Sequence, residues 1–116
     1  MVETPNDAYK LKINEQQFVN KPLKNLLKEI KPAIKNVLGT RDNPSYFVFY
    51  FISRDEVNHK AKGRKAINLV IYVKETLDWD FNKRPKGKEY LWSKQDVEKY
   101  ENLTVIRIKV FERVED

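Results

Sequence analysis

Tyr46-Phe47-Val48-Phe49-Tyr50-Phe51-Ile52 is the stretch whose reading decides the fold. Side chains alternate between the two faces of a strand, so Phe47, Phe49 and Phe51 share one side while Tyr46, Val48, Tyr50 and Ile52 share the other. A strand apolar on both sides belongs in the middle of a sheet, with neighbours on each edge. Asp42-Asn43-Pro44 before it reads as a turn, and Pro44 and Arg54-Asp55 guard its ends against intermolecular pairing. The spacing predicts a strand over 45–53.

Two further segments repeat the split. Over 66–75, Ile67, Leu69, Ile71 and Val73 fall on one side, and Ala66, Asn68, Val70, Tyr72 and Lys74 on the other. Over 103–113, Ile106, Ile108 and Val110 oppose Arg107, Lys109, Phe111 and Arg113. Residues 8–14 alternate as well, Tyr9, Leu11 and Ile13 against Ala8, Lys10 and Lys12, and read as a half-buried strand with a basic outer row.

From 20 to 38 the period becomes helical, with Leu23, Leu26, Leu27, Ile30, Ile34, Val37 and Leu38 on one stripe. Asn20 suits the N-cap, Gly39 the residue after the C-terminus, and Pro32 predicts a kink or a break. A short helix over 94–101 opens at Ser93, with Asp96 as a weak capping-box partner. Segment 76–92 is held to the domain by Trp79 and Trp92 as anchors.

The order strand, helix, strand, strand, helix, strand predicts an α+β fold: an antiparallel four-stranded sheet with helices packed on one face, in the ferredoxin-like βαββαβ order. Residues 1–116 form one domain, with 1–7 as a flexible N-terminus, and a different strand order is the fallback. In this topology the helix-covered face carries the Phe47, Phe49 and Phe51 row. The uncovered face carries tyrosines and cations.

Composition narrows function by exclusion. The chain has 116 residues, a net charge of +6 and no cysteine. Disulfides, thiolate metal sites and cysteine nucleophiles are therefore ruled out. The longest apolar run falls far short of the ~20 residues of a membrane-spanning helix, and the first residues have no basic or apolar leader character. The expected compartment is the cytoplasm. There is no phosphate-binding glycine loop and no serine nucleophile motif, so no cofactor, catalytic residue or metal ligand is assigned.

What remains is a binding surface. Single-stranded nucleic acid is held by aromatic platforms in a basic groove, and RNA-recognition modules use a four-stranded sheet with exposed aromatics in this way. The similarity is one of architecture, because Lys62-Gly63-Arg64-Lys65-Ala66-Ile67-Asn68 lacks the aromatics those modules carry on the third strand. The leading expectation is a non-enzymatic DNA- or RNA-binding protein, such as a regulator or accessory factor of a virus or mobile element. Tyr46, Tyr50 and Tyr72 would stack bases. Lys10, Lys12, Arg107, Lys109 and the loop cations Arg54, Lys60, Lys62, Arg64 and Lys65 would neutralise phosphates; a second basic loop runs over 83–88. The alternative is a protein-interaction or homodimerisation module, inhibitor-like, that buries the same face. A third reading makes Asp78 and Asp80 the metal-holding pair of a nuclease.

Overall fold

A computed structural model describes residues 1–51 and 65–114. Its centre is an antiparallel four-stranded sheet in the order β1-β2-β3-β4, with β1 Asn36–Thr40, β2 Ser45–Tyr50, β3 Lys65–Val73 and β4 Val105–Val114. Among the described residues, three α-helices accompany it: α1 Tyr9–Ile13, α2 Leu23–Leu27 and α3 Lys94–Tyr100. Among the described residues, no helix is long and apolar enough to cross a membrane.

The α+β class and the antiparallel sheet hold, whereas the ferredoxin-like order does not. Residues 8–14 are helical rather than extended. Thr4-Pro5-Asn6-Asp7 starts a 3₁₀ turn, Pro5–Ala8, with proline at its first position and the Asp7 carboxylate accepting the Thr4 N–H at 3.1 Å. The turn runs directly into α1. Ala8 and Leu11, three apart, are buried, while Tyr9 is 40% and Ile13 80% exposed. The helical period therefore overrides the apparent alternation. The N-terminus is part of the domain rather than a flexible tail: Val2 is fully buried and bridges to Ile30.

The expected helix over 20–38 divides. Asn20, the expected N-cap, has a left-handed φ of 66°. Only Leu23–Leu27 is α-helical, and Leu23 and Leu26 are buried. Beyond Pro32, which cannot continue a helical ladder, the chain extends and pairs with β2 through Val37↔Phe49 and Leu38↔Val48. This supplies the second neighbour that the doubly apolar β2 demands. Gly39 is not a helix terminus but a strand residue beneath Trp79. A Cβ there would lie 2.6 Å from the indole Cδ2, so only glycine fits without displacement.

Covering the sheet on one face, the core joins Phe47, Phe49, Leu69, Ile71 and Ile108 to Val2, Ala8, Leu11, Leu23 and Leu26. Phe47 makes edge contacts with Trp79, Trp92 and Tyr100 at 5.2–5.8 Å between ring centroids. The two tryptophans are thus the anchors expected of them. Ile106 does not take the inward place its alternation suggested. The register shifts so that Tyr72 faces Arg107 while Val73 faces Val105, leaving Ile106 as the extra residue of a bulge. Val105 and Ile108 are fully buried on either side of it. The Ser93 capping box is present, with Ser93 Oγ accepting the Asp96 N–H at 3.1 Å.

Candidate nucleic-acid interface

The strand register arranges the face opposite the core in rows. Tyr46, Tyr72 and Arg107 lie side by side across β2, β3 and β4; Val48, Val70 and Lys109 form the next row; Tyr50, Asn68 and Phe111 form a third. β1 extends these rows with Thr40, Leu38 and Asn36. The expected sharing of one face by Tyr46, Tyr50, Tyr72, Arg107 and Lys109 is what the pairing produces.

The first row is chemically the most distinctive. The Tyr46 and Tyr72 rings are 5.1 Å apart, tilted by 44°. The Arg107 guanidinium lies 5.9 Å and the Lys109 ammonium 5.5 Å from the Tyr72 ring centroid. Both distances are within cation–π reach. Among the described residues, neither cation has a carboxylate within ion-pair distance. The tyrosine rings hold the two charges close to the sheet surface without neutralising them.

At the β4 edge the face continues into a cavity of about 370 Å³, lined by Tyr9 and Lys12 of α1 and by Arg107, Lys109, Val110 and Phe111 of β4. Phe111 is 52% exposed. Glu15 orders this junction. Its carboxylate accepts the Ile108 N–H at 2.6 Å and a hydrogen bond from Lys12 Nζ at 3.1 Å. Burial alone would raise the Glu15 pKa, but the Ile108 N–H, Lys12 and the field of Arg107 outweigh it and hold the carboxyl below its ordinary range. Among the described residues, Arg107 and Lys109 thus stand beside the groove without an ion pair, while Lys12 is paired with Glu15.

The remaining expected residues distribute differently. Lys12 joins Arg107 and Lys109 through α1, not through a strand row. Lys10 does not line the groove and pairs with Asp7 at 3.5 Å. Arg54, Lys60, Lys62 and Arg64 lie outside the described residues, and of Lys65 only the backbone pairing with Val114 is described. Tyr9, read from sequence as an inward strand residue, is instead a wall of the groove. The signal that places it is Thr4-Pro5-Asn6-Asp7, the helix start just upstream.

Arg84, from the second basic loop, is a structural residue. It bonds the Asp96 carboxylate through both terminal nitrogens at 2.9 and 3.1 Å, reaches the Glu89 and Leu91 carbonyls at 2.7 Å, and lies 3.8 Å from the Trp79 ring centroid. Its donors are committed to closing the 81–92 segment onto α3. Asp96 is held below its ordinary pKa: burial opposes ionisation, and the hydrogen bonds of Arg84 and Ser93 overcome it.

Asp78 and Asp80 line a second concavity of about 420 Å³ together with Arg41, Lys83, Lys99 and Tyr100. Their carboxylates have partners within the chain. Asp78 takes Lys99 Nζ at 2.8 Å and the Tyr100 hydroxyl at 2.9 Å, and its pKa is lowered, chiefly by the Lys99 hydrogen bond. Asp80 accepts the Asn82 N–H at 3.0 Å and faces Arg41 at 4.0 Å. Among the described residues, no group of three His, Cys, Asp or Glu side chains could hold a metal. Geometry brings the two aspartates together, but in surroundings built from cations. Compared with protein-family models, curated proteins and solved structures, the chain matches none.

Proposed function

We propose that this chain is a small, non-enzymatic nucleic-acid-binding protein of the cytoplasm that engages DNA or RNA through the open sheet face and the α1–β4 groove. The observation that carries the reading is Tyr72 set beside Tyr46 and within reach of both Arg107 and Lys109. A ring platform offers a stacking surface to a base, and adjacent cations that have no carboxylate partner among the described residues attract the phosphates flanking it. Lys12 also lines the groove, paired there with Glu15. The net charge of +6 adds long-range attraction for a polyanion.

The test is binding of random single- and double-stranded oligonucleotides at two salt concentrations. With Arg107 and Lys109 each on a phosphate, log affinity falls with log salt at a slope of roughly −1.4 on single strands and about −1.8 on duplex. Absence of binding at low salt overturns the proposal. A second reading, a homodimer or protein-interaction module burying the same face, is favoured by the half-buried Leu38 and Val48, which share the middle row with the buried Val70. It expects a dimer whose mass does not change with salt and which dissociates in Tyr50→Lys.

A further inference from the structure

Resting on that reading, we infer that the bound nucleic acid is single-stranded and that one of its nucleotides enters the α1–β4 groove, with its base against Phe111 and Tyr9. The open face and the groove are one continuous surface, because Arg107, Lys109 and Phe111 belong to both. Along β4, Arg107 and Phe111 are four residues apart, about 13 Å at the rise of a strand. Tyr72 sits opposite Arg107 on the neighbouring strand, about 5 Å across. The surface therefore presents two aromatic stations roughly 14 Å apart, with Lys109 between them. That separation exceeds the contact distance of stacked neighbours, so the two stations serve different nucleotides of one extended strand.

Shape excludes a duplex from the same use. In a duplex each base is stacked between its neighbours and shows only its edge in a groove. Tyr46 and Tyr72 are half-buried in the sheet surface and pack against each other. They can meet only bases already turned out of a stack. Phe111 is 52% solvent-exposed beside the groove, and Tyr9, which also lines it, is 40% exposed. The groove, of about 370 Å³, is walled by α1 on one side and β4 on the other. The wall chemistry agrees: the Tyr9 and Phe111 rings for a base, Arg107 and Lys109 for the phosphates beside it.

The rigidity of the groove is also accounted for. Glu15 ties α1 to β4 by accepting the Ile108 N–H and Lys12 together, so the Tyr9 and Phe111 walls keep their separation before anything binds. A preformed slot avoids the cost of ordering side chains on binding.

The experiment is fluorescence anisotropy with three probes of equal length and charge per strand: a pyrimidine single strand, the matching duplex, and a single strand with consecutive abasic sites. Wild type is expected to bind the first most tightly and the abasic strand at least about tenfold more weakly, from stacking losses of about 1–3 kcal/mol per base. Phe111→Ala is expected to weaken the pyrimidine strand by about tenfold, leave the abasic strand unchanged and preserve the salt slope. Tyr9→Ala repeats the measurement from the opposite wall, and both side chains are exposed enough to be removed without opening the core. Equal binding of duplex and single strand, or Phe111→Ala and Tyr9→Ala both indistinguishable from wild type, overturns the inference while leaving nucleic-acid binding intact. Wild type that binds none of the probes at low salt removes the underlying reading and this inference with it.

Discussion

The two faces of the sheet are both rich in aromatics, and they use them in opposite ways. On the covered face Phe47 and Phe49 pack edge-on against the Trp79, Trp92 and Tyr100 cluster, and the Arg84 guanidinium against Trp79 is paired with Asp96 and two carbonyls. On the open face Tyr46 and Tyr72 stay half-buried, and the cations beside them, Arg107 and Lys109, lack carboxylate partners among the described residues. A cation resting on a ring is therefore not in itself a mark of function. What separates an anchor from a ligand-ready group is whether its donors are already committed. Arg84 holds the domain closed; Arg107 and Lys109 keep their capacity for something outside it.

The largest effect expected from this contrast compares adjacent residues of β2. Phe47→Ala removes a fully buried ring from the middle of the aromatic cluster and should cost about 3–5 kcal/mol. Tyr46→Ala, one residue away and facing outward, loses a cross-strand pair and should cost about 1 kcal/mol or less. Urea unfolding of the two variants measures the difference. Similar losses would mean that something covers the Tyr46 face as thoroughly as the core covers Phe47.

Nearly as large is the effect of Arg84→Met, which leaves the Asp96 carboxylate buried without its partner, at about 3 kcal/mol or more. The pH dependence carries the sign. Because the folded-state pKa of Asp96 is depressed, its contribution to stability is complete above the ordinary carboxyl range and drains away as pH falls through the depressed value. Asp7, Glu15, Glu75 and Asp78 are shifted the same way. Wild type should lose stability steadily on the acid side of about pH 4. Arg84→Met should show a shallower acid loss, since one of these carboxyls no longer gains from ionising. An unchanged slope would show that the Ser93 contacts alone keep Asp96 ionised.

Legibility from sequence followed the strength of local signals. The phenylalanine and tyrosine rows of 46–50 and the outward Arg107, Lys109 and Phe111 were readable because strand alternation fixes faces without knowledge of topology. Capping at Ser93 was readable because its geometry is local. The strand order was not, since it turned on two segments whose patterns suit more than one period. Over 8–14, Tyr9, Leu11 and Ile13 alternate, and only the upstream Thr4-Pro5 start and the burial of Ala8 with Leu11 settle the helix. Over 33–40, Ile34, Val37 and Leu38 continue a helical stripe as well as they fit a strand, and pairing with β2 decides. Arg84 was indistinguishable from its basic neighbours because its partner, Asp96, is distant in sequence and is brought near by folding.

On the open face the expected effects are smaller and appear in binding, not folding. Tyr72→Ala removes the ring that both cations approach and should weaken single-strand binding by about 1–3 kcal/mol. The same change in Tyr90, which packs on Phe81 at 5.2 Å away from this face, should leave binding unchanged. Affinity measured at a single low salt concentration separates them, and equal losses would relocate the interface.

The smallest effect is the most diagnostic of charge. Lys109→Gln keeps a polar side chain and removes one cation that lacks a carboxylate partner among the described residues. Its signature is therefore a change in salt dependence: the slope of log affinity against log salt should become shallower by about 0.7 on single strands, the contribution of one phosphate. Lys10→Gln is the matched control, since Lys10 pairs with Asp7 and does not line the groove. Its slope should equal that of wild type. Were both variants to flatten the slope equally, attraction would come from net charge spread over the surface, and the distinction between committed and uncommitted cations would lose its functional meaning.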